Sequence, residues 1–348
     1  MFVPQETHIL LHRKREGAMA EVVDQAEVDR LAQAALAQYD ISPRSTLRLV
    51  NLSENWTYRV EDPDSGIAYA LRVHRIAYHT AQEITSELLW IDALQQDAVV
   101  GTVTALPAKS GERVIQLATD VLPERSVVLF AWEDGAPPDP ELDLVPVYHS
   151  LGAMSSGMHA HARSWQRPAD FTRFSWNFET ALGPNGHWGP WQDAVGLDDT
   201  TRELFQRTVD VVDRRLQAYG KGPERYGLIH ADMRPANVLV LGGDVRAIDF
   251  DDCGDGWFMY DFATTISFIE DHPMVPEWRS SWLEGYRSAG TLSADDEAEL
   301  DTFVMLRRLM LVCWVASHFA HAIEAQELGA AFTVATCPLA ETYLSQYA

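Results

Sequence analysis

Cysteine is scarce in this chain: three in 348 residues, Cys253, Cys313 and Cys337, with no regular spacing. Three scattered thiols cannot make a disulfide framework or a zinc knuckle, and they fit a reducing compartment, with the cytoplasm as the default. Long apolar runs are missing too. The most hydrophobic stretches, VVLFAW at 127–132 and VMLRRLMLVCWVA at 304–316, are too short or too charged to span a bilayer, so no membrane segment is expected. Positive charge is also in short supply, with 27 Lys and Arg against 51 Asp and Glu and a formal charge of −24. Such a surface repels phosphate backbones and excludes sequence-wide nucleic-acid binding, whereas a cationic small molecule would be attracted. No small-residue cleavage pattern follows the short apolar stretch at the N-terminus; residues 1–20 read as a tail, with Met19 an alternative start.

The remaining composition is that of an ordinary globular chain, 47% apolar and 22% charged, and its length suits about two domains. Apolar residues at helical spacing predict a helix between Glu21 and Tyr39. Residues 46–52, 56–61 and 67–73 read as strands, the last two joined by the turn-rich DPDSG at 62–66. A helix over 80–96, capped by Thr80 or Thr85, is followed by short β-prone runs at 100–106, 113–118 and 126–131. After Gly135 the segment PPDPELD reads as a linker, and the segments beyond it are mostly helical. The expected architecture is therefore α+β in two lobes: residues 21–134 form an antiparallel sheet plus helix, and residues 135–348 form a mostly helical lobe. Within the second lobe, 239–241 and 245–250 form a predicted hairpin around Gly242-Gly243-Asp244.

That hairpin follows the most informative string in the chain, LIHADMRPANVLV at 228–240, and carries IDFDD at 248–252. Asp232 stands five residues before Asn237, and Asp249 twelve after it, the pattern HxDxxxxN then IDF. Phosphoryl transfer asks the protein for a carboxylate that orients a hydroxyl and for ligands to the cation on the polyphosphate. Asp232 fits the first role. Asn237 and Asp249 are hard oxygen ligands suited to Mg²⁺, which shares its shell with water and substrate phosphates, so ATP is implied with the metal. Taken singly, each residue could be a loop stabiliser or a turn former; the whole string in its strand context favours chemistry. His230 reads as structural. No Walker A string occurs, so a P-loop kinase is excluded.

LIHADMRPANVLV with IDFDD resembles the Brenner-type motif of the aminoglycoside phosphotransferase-like family, which includes choline and homoserine kinases and the SrkA-type stress-response kinases. The resemblance covers nearly all of the chain after residue 20 and implies a protein-kinase-like fold with ATP between the lobes. It assigns Arg72, in YALRVHR, to the α- and β-phosphates and Glu87 to pairing with that cation, with Glu83 as a competing partner. Arginine departs from the usual kinase lysine, and the exchange is not neutral because a planar fork replaces a point charge. The loop NLSENW at 51–56 lacks GxGxxG, so backbone amides around Ser53 to Asn55 would cradle the phosphates. The run 127–135 falls at the hinge, where the backbone near Ala131 and Trp132 would bond adenine. Asp261 would brace the HxDxxxxN loop from a helix start. Asp251 is either an added metal ligand or a solvated turn residue. His159 and His161 share no third ligand and are not read as a zinc site. The aromatics between Trp165 and Trp191 would build core and acceptor-pocket walls.

The implied activity is Mg²⁺-dependent transfer of the γ-phosphoryl group of ATP to a hydroxyl of a small molecule, such as an amino alcohol, a homoserine-like compound or an amino sugar. Two alternatives stand beside it. One is a SrkA-like Ser/Thr protein kinase using the same site; the other is a catalytically silent nucleotide-binding module, suggested by Arg72 and the missing glycines. The motif leaves the acceptor and the oligomeric state open.

Overall fold

The computed structural model describes residues 8–10, 22–52, 55–320 and 322–348. Most of the expected tail, and Ser53, therefore lie outside the described residues. Within that tail β1 (His8–Leu10) pairs antiparallel with β2 (Val22–Asp24). Because β2 takes these positions, the first helix starts later than its periodicity suggested. It is α1 (Gln25–Leu36), and the Asp24 side chain accepts from Ala26 N to cap it.

The first lobe is an antiparallel sheet of β3 (Thr46–Leu52), β4 (Trp56–Glu61), β5 (Ala68–Val73), β6 (Ala105–Leu106), β7 (Ile115–Leu117) and β8 (Arg125–Ala131). The spatial order is β3-β4-β5-β8-β6, with β7 also on β8. The turn between β4 and β5 forms because Asp62 Oδ1 accepts from Asp64 N at 2.9 Å and Gly66 takes φ 72°. On β4, Trp56, Tyr58 and Val60 alternate inward and pack against Val28, Leu31 and Ala35 of α1. Between β5 and β6 runs α2 (Ala81–Gln96). Thr80 and Glu83 close a capping box at its start, with Glu83 N donating to Thr80 Oγ1 at 3.2 Å and Thr80 N donating to Glu83 at 2.7 Å. Ile84, Leu88 and Ile91 of α2 belong, with Val128 and Phe130, to the larger core that continues into the second lobe. Each such side chain buried stabilises by about 1.5–3 kcal/mol.

The second lobe opens with α3 (Val145–Ser164), β9 (Ser175–Trp176), α4 (Phe178–Ala181), α5 (Asp199–Tyr219) and β10 (Tyr226–Ile229). It continues with β11 (Val238–Leu241), β12 (Asp244–Ala247), β13 (Gly254–Trp257), α6 (Tyr260–Thr265) and α7 (Val275–Ala289). It ends with α8 (Ala294–Ala298), α9 (Leu300–His318) and α10 (Ile323–Tyr347). The hairpin β11–β12 turns on Gly242 and Gly243, at φ 60° and 96°, as a two-residue turn with both centres left-handed requires. Its second strand is shorter than expected. It stops at Ala247, and the chain bends back at Asp249, where φ is 59°.

The three-stranded sheet β10-β13-β9 was not foreseen, because its strands are two to four residues long and β13 reads GDGW. Helices α3 and α7 touch backbone to backbone: a Cβ at Gly152 would lie 1.9 Å from Trp282 O, and one at Gly285 1.9 Å from His149 O. Helix α9 is buried on nearly every side. Helix α10 packs on α5 and α9 and is broken at Gly329, where φ is 46° and ψ −145°. Among the described residues no helix is long and apolar enough to cross a membrane.

Candidate active site in the cleft between the lobes

A cleft of about 990 Å³ lies between the sheet and the helical lobe, and Arg72, Glu87, Asp232, Asn237 and Asp249 all line it. The HxDxxxxN loop leaves β10 through Ala231, at φ 65°, and is held from beneath by α6. Asp261 accepts from His230 N at 3.3 Å and from Ala231 N at 2.8 Å, the brace expected of it; Thr264 Oγ1 accepts from Met233 N at 2.9 Å. Asp261 is itself held by His159 Nε2 at 2.8 Å, whose Nδ1 lies 3.1 Å from Tyr286 Oη. His230 accepts from Asp232 N on Nδ1 at 3.3 Å, and its Nε2 faces Ile248 O at 3.2 Å. Both ring nitrogens are thus engaged inside the loop. Burial lowers the pKa of His159 and of His230, so both stay neutral near pH 7.

The turn Pro235–Asn237 brings Asn237 back beside Asp232. Its Nδ2 donates to Asp232 Oδ2 at 2.6 Å and to Asp232 O at 2.9 Å. That leaves Asn237 Oδ1 without a hydrogen-bond partner among the described residues. The other oxygen of Asp232 receives Arg307 Nη2 at 2.9 Å, and Arg234 Nε lies 3.5 Å from Oδ2. Ile248 N donates to Asn237 O at 2.9 Å and so sets Asp249 next to this loop. Desolvation, opposed by Arg72 and reinforced by the carboxylates of Asp251, Glu87 and Asp232, pushes Asp249 up to about 7.

Arg72 donates Nη2 to Glu87 at 2.6 Å and Nε to His74 Nε2 at 3.2 Å, with Nη1 3.5 Å from Asp249. Its guanidinium lies 5.1 Å from the Phe130 ring centroid. Glu83, the competing partner, is taken by its capping box. Burial alone would lower the Arg72 pKa, and Glu87, Asp251 and Asp249 more than reverse that. Asn55 spans the lobes: its Nδ2 donates to Asp251 at 2.9 Å and its Oδ1 accepts from Arg75 N at 3.1 Å. Asp251 is therefore not a solvated turn residue. It is buried within 3.5 Å of His74, and although burial would raise its pKa, His74, His79 and Arg72 hold it well below the carboxylate range.

Ala131 and Trp132 line the same cleft, but their amides are already used. Ala131 N donates to Thr104 O at 2.8 Å and Trp132 N to Ala68 O at 3.3 Å, because β8 keeps its sheet partners to its end. These two N–H groups are therefore not available to adenine, and the turn 133–135 is the next hinge backbone along that wall. The sequence reading missed Arg307 and Arg234. The signal for Arg307 was present as two adjacent arginines inside an otherwise apolar helical run, where a charge stays only if something pairs with it.

A model of the phosphotransferase enzyme family (APH) matches residues 46–301. Over 301 residues the chain is 24% identical to the amicoumacin kinase of Bacillus subtilis (strain 168), covering 81% of this chain and 82% of that one. Among solved structures, a microcompartment-associated aminopropanol kinase is 46% identical with a TM-score of 0.85, over 91% of this chain and 98% of that one. Amicoumacin kinase hAmiN, in complex with AMP-PNP, Ca²⁺ and Ami, is 20% identical with a TM-score of 0.74, over 91% and 94% of the two chains, a likeness of fold.

Proposed function

Since the chain belongs to the phosphotransferase enzyme family and has its protein-kinase-like fold, we propose that it transfers the γ-phosphoryl group of ATP, with Mg²⁺, to the hydroxyl of a small amino alcohol. The observation that carries this reading is the meeting of Asp232, Asn237 and Asp249 with the Arg72–Glu87 pair in one cleft. The amino alcohol is supported by the aminopropanol kinase likeness and by the far end of the cleft. There Trp188, Phe268 and Trp314 form aromatic walls, and Glu324 and Glu327 also line the cleft, with Glu324 in the field of Arg234. An ammonium group suits both features.

The donor set fits the metal. Asp249 offers a carboxylate to the cleft, and Asn237 Oδ1 has no hydrogen-bond partner among the described residues because its amide is turned to Asp232. Among the described residues no group of three or more His, Cys, Asp or Glu would hold a cation unaided. A two-ligand site completed by phosphate oxygens and water is the Mg²⁺ pattern. When bound, Mg²⁺ would neutralise charge on the polyphosphate. Arg72 would hold the α- and β-phosphates, and Asp232 would orient the acceptor hydroxyl. As that oxygen bonds to the γ-phosphorus, the bond to the β-phosphate oxygen breaks, ADP leaves, and the hydroxyl proton passes to Asp232. Against the silent-module reading, the Arg72 fork makes the Glu87 contact and two more besides, which answers one of its two motives.

The test is ADP formation with aminopropanol, ethanolamine, homoserine and a Ser/Thr peptide, each with and without EDTA. Aminopropanol should stimulate ADP release most, and EDTA should abolish it. Stimulation by the peptide alone, or by no acceptor, would overturn the reading.

A further inference from the structure

We propose that Arg307 is a positioning residue for the transfer step, fixing the Asp232 carboxylate in the orientation that the acceptor hydroxyl meets. The inference rests on the reading of Asp232 given above and adds a residue from α9, the helix under the acceptor end of the cleft.

Arg307 is 3% exposed, in a helix whose buried residues are mostly Leu, Met, Val and Phe. A guanidinium in such surroundings is strongly unfavourable unless its charge and its donors are met. Two of its contacts are neutral: Nε donates to Ser267 Oγ at 2.9 Å and Nη1 to Tyr260 Oη at 3.2 Å. The Trp188 ring lies 5.5 Å away. These groups fix the plane of the fork without balancing its charge. Nη2 is thereby aimed at Asp232 Oδ1, at 2.9 Å, the one carboxylate it pairs with among the described residues.

Asp232 is consequently clamped from two sides. Asn237 Nδ2 holds Oδ2 at 2.6 Å from within the loop, and Arg307 holds Oδ1 from another helix. A carboxylate bonded at both oxygens cannot turn about its Cβ–Cγ bond, yet it keeps lone pairs free, since an ionised carboxylate has about four acceptor directions. A remaining direction can meet a hydroxyl in the cleft, which Arg307 also lines. Holding a reacting group in its productive geometry is worth a large rate factor, and misplacing it by about 1 Å can lower the rate about 100-fold. A lysine would supply the charge but not the three-way fork. The same cation disfavours an acceptor ammonium beside Asp232 and so directs it toward Glu324 and Glu327.

Arg308, the next residue, is the built-in control. It is 1% exposed and pairs with Glu270 at 2.6 Å, bonds Thr336 Oγ1 at 2.8 Å and lies 3.7 Å from the Phe332 ring centroid. It has the burial and the helix of Arg307 but no contact with Asp232.

The experiment measures kcat, the KM values for ATP and aminopropanol, and Tm for full-length R307M, R307K, S267A, Y260F and R308M. R307M should lower kcat about 100-fold with the ATP KM nearly unchanged, and R307K should recover part of that loss. S267A and Y260F keep the charge but loosen the fork, and should lower kcat a few-fold, about 2–5, with both KM values held. They carry the test if R307M does not fold. R308M should lower Tm and leave kcat alone. A kcat within about twofold of wild type in R307M, or, failing that protein, in both S267A and Y260F, overturns the proposal, as does a loss in R308M equal to that in R307M. D232N keeps the two readings apart: if it is inactive while R307M is not, only the role of Arg307 falls, and if D232N turns over, the underlying reading falls.

Discussion

At the nucleotide end of the cleft Arg72 meets Glu87, 15 residues further along the chain, and at the acceptor end Asp232 meets Arg307, 75 residues further along. The first pair joins a strand to the helix that follows it, inside one sheet-and-helix unit. The second crosses from a loop to a helix near the end of the chain, past three intervening helices, α6 to α8. Both pairs set an ionised group that the proposed chemistry uses. Under the proposed function, nucleotide handling is written in local order, whereas acceptor handling depends on how distant helices come together.

The sharpest way to break this comparison is at Asp232. D232N should lower kcat about 10³-fold while the ATP KM stays near wild type, because the nucleotide end is untouched; steady-state kinetics with both substrates varied would show it. Next in size is the Arg72–Glu87 pair. E87Q leaves a buried guanidinium half-paired, and R72K gives up the fork, so each should raise the ATP KM about 10- to 100-fold with the acceptor KM unmoved. If the acceptor KM moves as much, the two ends are not separable. Glu324 and Glu327 test the opposite end: E324Q with E327Q should raise the aminopropanol KM about 3- to 10-fold and leave the ATP KM alone, an effect weakened by salt. Isothermal titration of the amine at two ionic strengths would check the second half.

The smallest effect concerns stability. His74, His159 and His230 are buried and their pKa values are lowered mainly by desolvation. A histidine with a folded pKa below its unfolded value binds fewer protons when folded, so its contribution is complete above about pH 6.5 and drains away as the pH falls toward the folded value. Asp249, pushed up to about 7, takes up a proton over the same interval and works in the opposite sense, so the histidine effect is read in D249N, whose Tm should fall by about 2–5 °C between pH 7.5 and pH 5.5. A Tm that rises over this interval would contradict the neutral state of these rings.

Much of the site could be read in advance because its signals are short-range. The three strands from Thr46 to Val73, the Thr80 or Thr85 cap and the HxDxxxxN spacing each lie within a window where periodicity and turn chemistry act, whereas the Arg72–Glu87 pairing was implied by the family resemblance, with Glu83 left as a competitor. The bend at Asp249 was missed because a left-handed aspartate leaves no mark in a run that looks like a continuing strand. Asp251 was left between two roles because its partners Asn55 and His74 lie in the other lobe. The sheet of β10, β13 and β9 is too short and too glycine-rich to carry a β signal. Arg307 was hidden by distance, although its presence in an apolar helix asked for a partner.

Gly152 and Gly285 give the cleft a weak point far from any ligand. Alanine at helical glycines is a routine choice for anyone trying to make an enzyme more heat-resistant, since it reduces the freedom of the unfolded chain. Here the added methyl would meet a carbonyl at 1.9 Å and force α3 away from α7. Those two helices carry His159 and Tyr286, whose contact steadies Asp261, and Asp261 holds the amides of His230 and Ala231 just ahead of Asp232. An engineer following the general rule would spread the frame of the active site without altering a single residue in it.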